Sequence, residues 1–353
     1  MRRHADLFPR LVSWENLLRA ARNASRGKTA RPVVERFEFR REWELLRLRR
    51  ELISGDYRPG PFTTPRIAHP KPRLISAAPY RDRVVHHAVM NLLEPILDRH
   101  FLPDNFACRK GKGTHAASRR LQWLMRRHPF VLQCDVRKYF PSIDHALLKQ
   151  TFRCLVKDRR FLDLLDVIVD GSNPQDATDD WFPGDDLFTP ASRRRGVPIG
   201  NLTSQWFANW YLDAFDHALT SRLRVAGYVR YCDDFILLDD DSGRLLDFRG
   251  RVEELLAGLR LRLHPGKTAI VPARAGVTFV GYRTWPHRRT VRSSNVRAFL
   301  KRLRAYGHDL AVEAMSREEY VRRVAAWLGH ASQADDPRLI ERALDRAAAI
   351  ARR

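Results

Sequence analysis

Gly227-Tyr-Val-Arg-Tyr-Cys-Asp-Asp-Phe-Ile-Leu-Leu238 sets two adjacent carboxylates, Asp233 and Asp234, between two short runs rich in β-branched and aromatic residues. The pattern reads as a strand, a tight acidic turn and a second strand. Neighbouring carboxylates at a hairpin tip repel and raise each other's pKa unless a cation neutralises them, so the pair is chemically unfinished without a metal. Taken alone, Asp-Asp would read as an ordinary solvated turn. A second element upstream changes that balance. Phe130-Val-Leu-Gln-Cys-Asp-Val-Arg-Lys-Tyr-Phe140 delivers another carboxylate, Asp135, at the end of an apolar strand. Two divalent ions roughly 3.5–4 Å apart, clamped by carboxylates, activate an attacking hydroxyl and stabilise a leaving oxygen in in-line phosphoryl transfer. Asp135, Asp233 and Asp234 suffice for such a clamp, and Mg²⁺ suits an all-oxygen site completed by phosphates and water.

The chain has 353 residues and a formal charge of +23, from 64 Lys and Arg against 41 Asp and Glu. That length allows a large core and two or three subdomains. The excess charge is most simply balanced by a polyanionic partner, a nucleic acid or an anionic membrane. A spanning segment is not expected, because no apolar run approaches the roughly 18 residues a bilayer requires, and the N-terminus leads into no secretory segment. Cys108, Cys134, Cys154 and Cys232 show no C-x-x-C spacing. They read as reduced thiols of a cytoplasmic protein, without zinc.

The Tyr231-Cys-Asp-Asp234 box, with Asp135 in an apolar strand ahead of it, resembles the Y-x-D-D and first-aspartate motifs of reverse transcriptases. The resemblance runs in motif order from about Tyr57 to Tyr282. It implies an α+β right-hand polymerase with helical, basic fingers, an antiparallel-sheet palm and a small helical thumb. Expected boundaries are 1–130 for N-terminal helices and fingers, 131–285 for the palm and 286–353 for the thumb, with 145–195 a helical and loop insertion partly in the fingers. The metal set becomes Asp135, Val136, Asp233 and Asp234, holding two Mg²⁺ ions. Lys267, after the Pro265-Gly266 turn, matches the family's lysine near the leaving pyrophosphate. Lys71 and Arg73, on one side of an extended Pro-rich strand, would grip the dNTP triphosphate. Phe140 stands where the family places an aromatic gate against the 2′-hydroxyl, and Tyr139 points the other way if the strand continues. Arg109, Lys110 and Lys112, in a glycine-containing loop, would meet nucleic-acid phosphates together with Tyr231. Val277 to Tyr282 resembles the primer-grip hairpin, with Gly281 allowing close backbone approach.

Arg195-Gly-Val-Pro-Ile-Gly-Asn-Leu-Thr-Ser-Gln-Trp-Phe-Ala-Asn-Trp-Tyr211 narrows the family further. Most reverse transcriptases carry Q-G-x-x-x-S-P here, whereas I-G-N-L-T-S-Q is similar to the form in diversity-generating retroelements, a group II intron-like bacterial branch. Ile199 replaces the common Gln, Gly200 is kept, and Gln205 replaces the Pro. A Gln there can hydrogen-bond around the nascent base pair, and Ile cannot. Losing one such bond costs on the order of 0.5–1.5 kcal/mol, so fidelity falls. That branch misincorporates opposite template adenines. The resemblance further implies a repeat-containing template RNA, an RNA/cDNA hybrid, dNTPs and a small basic accessory protein as partners. Other bacterial reverse transcriptases (retron, group II intron or abortive-infection types) and a non-catalytic RNA-binding relative remain alternatives.

Elsewhere, Ser13 should cap a helix over 14–23, and a second helix should run from about Glu38 to Ile53 and stop at Gly55. Thr203 or Ser204 should start a buried helix. Leu259, Leu261 and Leu263 alternate as a short strand. The acidic stretch 176–186 reads as a solvated connection. Ser316 and Glu319 form a capping-box pattern at the head of a basic helical bundle, with no nuclease domain expected after it.

Overall fold

The structure is a computed structural model that describes residues 3–67, 73–172 and 180–351. Its fold class is α+β, with antiparallel sheets among many helices. The chain divides into two interleaved compact units, one of 1–102, 136–222 and 251–264 and another of 103–135, 223–250 and 265–353.

The first unit is mainly helical. Ser13 accepts a hydrogen bond from Asn16 N at 3.2 Å and opens the helix Trp14–Ser25, as expected. Asn16 is buried, and its Nδ2 donates to Leu11 O and to Ala88 O, tying this helix to the long helix Tyr80–His100. The helix expected over 38–53 is two helices, Pro32–Phe39 and Arg41–Ser54, separated at Arg40, whose φ of −116° leaves the helical range. Gly55, at φ 84°, ends the second in the left-handed conformation that glycine adopts without a Cβ penalty. A two-stranded ribbon pairs β1 (Arg66–Ile67) with β2 (Arg73–Leu74). Lys71 lies outside the described residues, as does the side chain of Arg73.

In the second unit, β3 (Phe130–Asp135), β4 (Gly227–Tyr231), β5 (Asp234–Asp239) and β6 (Ala269–Pro272) form an antiparallel sheet in the order β4-β5-β3-β6. Phe235, Ile236, Leu237 and Leu238 are all fully buried, which is why β5 reads as a continuous apolar run and not as an alternation. Val131 pairs with Leu238 and Val229 with Ile236, and these four pack with Leu121, Leu124 and Met125 of the helix Thr114–Met125. Each such side chain contributes about 1.5–3 kcal/mol by leaving water. A second sheet follows, β7 (Val277–Phe279), β8 (Tyr282–Thr284) and β9 (Arg289–Val291). The expected hairpin at 277–282 is present, with Val280 and Gly281 at φ 43° and 92°.

Three helices, Ser293–Ala311, Arg317–Ala331 and Pro337–Ala351, close the chain around Phe299, Tyr320 and Trp327. Ser316 Oγ accepts from Glu319 N at 3.2 Å, supplying the expected cap.

Several local expectations are corrected. Leu259 to Leu263 is not a strand: the helix Ser242–Gly258 runs up to it, and Leu263 makes only an isolated bridge with Val136. The alternation there reflects a turn burying Leu261, and the sheet partner of β3 is β6 instead. The strand β3 also stops at Asp135; Tyr139–Ser142 is one helical turn after Lys138 at φ 45°, so strand alternation does not govern Tyr139 and Phe140. The helix after Asn201 begins at Leu202, with Asn201, not Thr203 or Ser204, at its cap position. Of the acidic stretch, 173–179 is outside the description, but Asp185 is no solvated residue: it pairs with Arg193, and each side chain is only 4% exposed.

Gly276 holds φ 77°, and a Cβ built there would stand 2.4 Å from Trp285 Nε1. Left-handed backbone costs a residue with a Cβ about 1–2 kcal/mol before any clash. Gly276→Ala should therefore lower the urea unfolding midpoint, and an unchanged midpoint would show that neither the backbone angle nor Trp285 constrains this position.

Candidate active site

The acidic hairpin closes through a two-residue turn, Cys232-Asp233, because Tyr231 pairs directly with Asp234. Cys232 takes φ 58°, the positive angle that tight hairpin turns demand at their first central position. The same sheet register places Asp135, the last residue of β3, directly opposite Asp234, the first of β5. Side chains alternate along a strand, so Asp135 shares a face with Gln133 and Val131, and Asp234 shares that face with Ile236. Like charges directly opposite one another destabilise a sheet.

The site's electrostatics follow from that register. Asp234 is pushed up to about 8 from an ordinary 3.8, first by burial and then by the Asp135 and Asp233 carboxylates; Lys267 and a Gln133 hydrogen bond work in the other direction. Its Oδ1 is buried without a hydrogen-bond partner among the described residues. Lys267, in the turn Pro265–Lys267, donates from Nζ to both oxygens of Asp135 at 2.7 Å. It is thus the cation that offsets part of the negative charge.

The expected metal set is only partly assembled. Among the described residues, no group of three or more His, Cys, Asp or Glu side chains stands close enough to hold a metal. The ammonium of Lys267 already occupies the Asp135 carboxylate. Val136, whose side chain is apolar, could offer only its backbone. The donor chemistry nevertheless suits a hard cation: three carboxylates on adjoining positions, one of them buried with an unpartnered oxygen and a raised pKa.

Gln133 escaped the sequence reading. Its Nε2 donates to Thr278 O at 2.8 Å, fastening β3 to β7 beneath the aspartates. The i, i+2 offset from Asp135 was the available signal. Cys232 and Cys108 were read as separate reduced thiols, and the structure brings them together, thiol hydrogen-bonded to thiol. The loop carrying Cys108 runs beside β4, with Phe106 N donating to Arg230 O at 2.9 Å. In that loop, Arg109 Nη1 donates to Asn105 O at 3.0 Å and Lys112 Nζ to Pro103 O at 2.7 Å, so both basic chains are also used in shaping the loop. Lys110, its neighbour, lies in the same loop. Tyr231 is half-buried, and Gly281 has Asn295 and His330 close to where a Cβ would stand.

The residues expected around the nucleotide gather in the first unit. Val197 N donates to Phe140 O at 3.0 Å, and Ser76 N donates to Ile199 O at 2.8 Å. Asn201 bridges Ser76 O and Ala78 N through its side chain. The segment leaving β2 after Arg73 is therefore bonded to the Ile199–Asn201 loop. Gly200 has φ 118°, and a Cβ there would lie 2.9 Å from Ile75 Cγ2. Phe140 and Ile199 are both partly exposed, unlike core residues, and Gln205 is exposed at the first turn of its helix.

Residues 66–284 match the family model described as reverse transcriptase (RNA-dependent DNA polymerase). The chain belongs to the reverse transcriptase family. Its enzyme class is accordingly RNA-directed DNA polymerase, a nucleotidyltransferase. As a reverse transcriptase it is similar to Protein YkfC of Escherichia coli (strain K12), at 28% identity over 280 residues, 68% of this chain and 71% of that protein. Among solved structures, apo telomerase from Candida tropicalis, truncated from its C-terminal domain, shares 13% identity at TM-score 0.47, covering 71% of this chain and 60% of that one. A second structure of apo telomerase from the same organism shares 12% identity at TM-score 0.47, covering 64% and 47%. The reverse transcriptase described here thus spans less than two thirds of each telomerase chain. No helix among its described residues is long and apolar enough to cross a membrane.

A carboxyl held above its unfolded pKa binds its proton more tightly when folded, so metal-free stability falls as pH rises between the two values. For Asp234 that window runs from 3.8 to about 8. Without divalent ions, Asp234→Asn should melt higher than the natural protein near pH 8 and the gap should close near the acid end. Thermal unfolding across that range checks it; a gap that does not change with pH would refute the placement of the charge.

Proposed function

We propose that this reverse transcriptase copies an RNA template into DNA with low fidelity at adenines, as the cDNA-making enzyme of a diversity-generating retroelement. The observation that carries the catalytic part is the pairing of Asp135 with Asp234 across the ladder, with Asp233 at the adjoining turn and Lys267 on Asp135. The three aspartates would hold two Mg²⁺ ions, which when bound activate the primer hydroxyl and stabilise the leaving oxygen. Mg²⁺ fits because it takes oxygen ligands and accepts a site finished by substrate phosphates.

In this reading the primer 3′-hydroxyl attacks the α-phosphate of a dNTP and pyrophosphate leaves. Lys267 would release Asp135 to the metal and turn to the departing pyrophosphate, to which it can give a proton. Arg73, with Lys71, would grip the triphosphate, and Phe140 would exclude a 2′-hydroxyl by contact. Arg109, Lys110 and Lys112 would follow the template backbone, while Gly281 would let the primer approach the hairpin backbone. Tyr231 would stack beneath the primer end. The RNA/cDNA hybrid would leave along the terminal helices, and a small basic accessory protein would complete the particle.

The subtype rests on Ile199 and Gln205. Ile199 is partly exposed and its carbonyl is engaged by Ser76, so its side chain is free to form the apolar wall of a pocket. Such a wall selects by shape alone. Gly200 and the Asn201 bridges keep the loop in place, so the substitution changes chemistry without releasing the backbone.

Asp233→Ala should abolish Mg²⁺-dependent dNTP incorporation on a primed RNA; substantial remaining synthesis would sink the metal assignment. Ile199→Gln should lower misincorporation opposite template adenine, by up to about tenfold if one hydrogen bond is regained. Sequencing cDNA made by both forms measures this, and equal adenine error rates would count against the subtype.

A further inference from the structure

At the end of the sheet remote from the aspartates, the second unit has a concave site of about 560 Å³. It lies between the end of the helix Thr114–Met125, the start of β3, the segment after β6 and the turn joining β8 to β9. Phe130 and Pro272, both in its wall, are paired in the ladder, and Asp135 ends the same strand. At about 3.3 Å of rise per residue, the steps from Phe130 to Asp135 separate the pocket from the aspartates by about 17 Å. A ligand in it does not touch the reacting atoms.

The wall is basic and its charge is poorly offset. Arg126 Nε donates to Pro286 O at 2.8 Å and Arg127 Nη1 to Trp123 O at 3.3 Å, so these guanidiniums bond carbonyls, not carboxylates. Arg274, also exposed, has no ion pair among the described residues. His128 Nδ1, also in the wall, lies 2.9 Å from Asp240 Oδ1. Behind the pocket's turn, Arg289 is 8% exposed, with Nε and Nη1 buried and unpartnered. Burial lowers its pKa despite Asp335, and Arg119 and Arg126 add to that effect. Charge of one sign has been concentrated here beyond what the local carboxylates neutralise.

Two indoles stand beside the pocket, close in sequence to its lining, and carry guanidiniums, of which Arg127 is itself in the wall and Arg120 is paired with Asp104. Arg127 Cζ lies 3.5 Å and Arg120 Cζ 4.3 Å from the Trp123 ring centre, and Trp123 is 41% exposed. Arg288 and Arg283 approach the Trp285 ring at 4.8 and 5.3 Å. Guanidiniums resting on indoles lose less freedom when they fork onto an anion. Arginine forks match phosphate, and guanidinium planes and aromatic rings are the surfaces on which unpaired bases stack. An acidic peptide would use the charge but not the aromatic rings. A duplex needs an open track, whereas this site is a pocket of the size that encloses a small group.

We propose that this pocket binds the backbone of a single-stranded RNA segment outside the synthesis site, a part of the template RNA that is not being copied. The inference rests on the RNA-templated reading above for the identity of that RNA. It makes the palm-type sheet two-ended, with synthesis at the Asp135 end and RNA retention at the Phe130 end.

The test compares the full chain with an R126Q/R127Q/R274Q variant, all three positions being exposed and outside the core. Equilibrium binding is measured, over a range of salt concentrations, to a blunt RNA–DNA hybrid and to the same hybrid carrying a long single-stranded RNA extension. The variant should bind the blunt hybrid as the natural chain does and lose about tenfold or more on the extended one, with a salt slope shallower by about 2. Equal affinities and slopes on the extended hybrid would overturn the proposal, as would an equal loss on both hybrids. Loss of polyglutamate binding with RNA binding retained would assign the pocket to an acidic protein instead, and also overturn it. Independently of any variant, ultraviolet cross-links from the extension should map to peptides containing Trp123 or Trp285; their absence would count equally against it. These readouts need no nucleotide incorporation, so failure of polymerase activity would overturn the catalytic reading while leaving this one separately decided.

Discussion

Asp135 faces Asp234 across an antiparallel ladder, and the rest of the site is arranged around that unfavourable opposition. A sheet gains nothing from like charges on directly paired residues. The surrounding apolar ladder, from Val131 against Leu238 to Cys134 against Phe235, fixes the register, and a slip of one residue would turn the buried set outward. The core thus holds two carboxylates together against their repulsion. Lys267 relieves Asp135, while Asp234 retains a buried unpaired oxygen and a raised pKa.

The hairpin itself was legible in the sequence because its cues are local. Alternating β-branched and aromatic residues around Cys232-Asp233 specify two strands and a tight turn, and motif spacing pointed to Asp135 as the third carboxylate. The helices around Ser13 and Ser316 were legible for the same reason: each is announced by a cap that bonds within three residues. Where the reading failed, the deciding contact carried no pattern in the sequence: it is distant at Leu259 to Leu263, eight residues away for Asp185, and within the turn itself at Arg40. Leu259 to Leu263 alternates like a strand, but β3 takes β6 as its neighbour. Arg40 breaks a helix that its propensity would continue, and Asp185 finds Arg193 and is buried with it.

The candidate site was legible as a set of residue types and not as a set of contacts. Lys267 was marked for the leaving group, yet it rests on Asp135, a contact across 132 positions that no local pattern encodes. Gln133 carries no motif; its role in bonding Thr278 and Asp234 emerges only when strand alternation puts it on the aspartate face. The Ile199 loop was singled out by its letters, but its fastening to Ser76 and Ala78 through Asn201 is a contact across more than a hundred positions that those letters do not announce.

If the opposed carboxylates are a metal site, as proposed, Lys267 must leave Asp135 when the ions bind. The decisive measurement is an experimental structure with a primed RNA, an unreactive dNTP analogue and Mg²⁺. Two ions held by Asp135, Asp233 and Asp234, with Lys267 moved from Asp135 to the phosphates, are the expected result; Lys267 still bonded to Asp135, with ions held by the nucleotide alone, would refute the proposal.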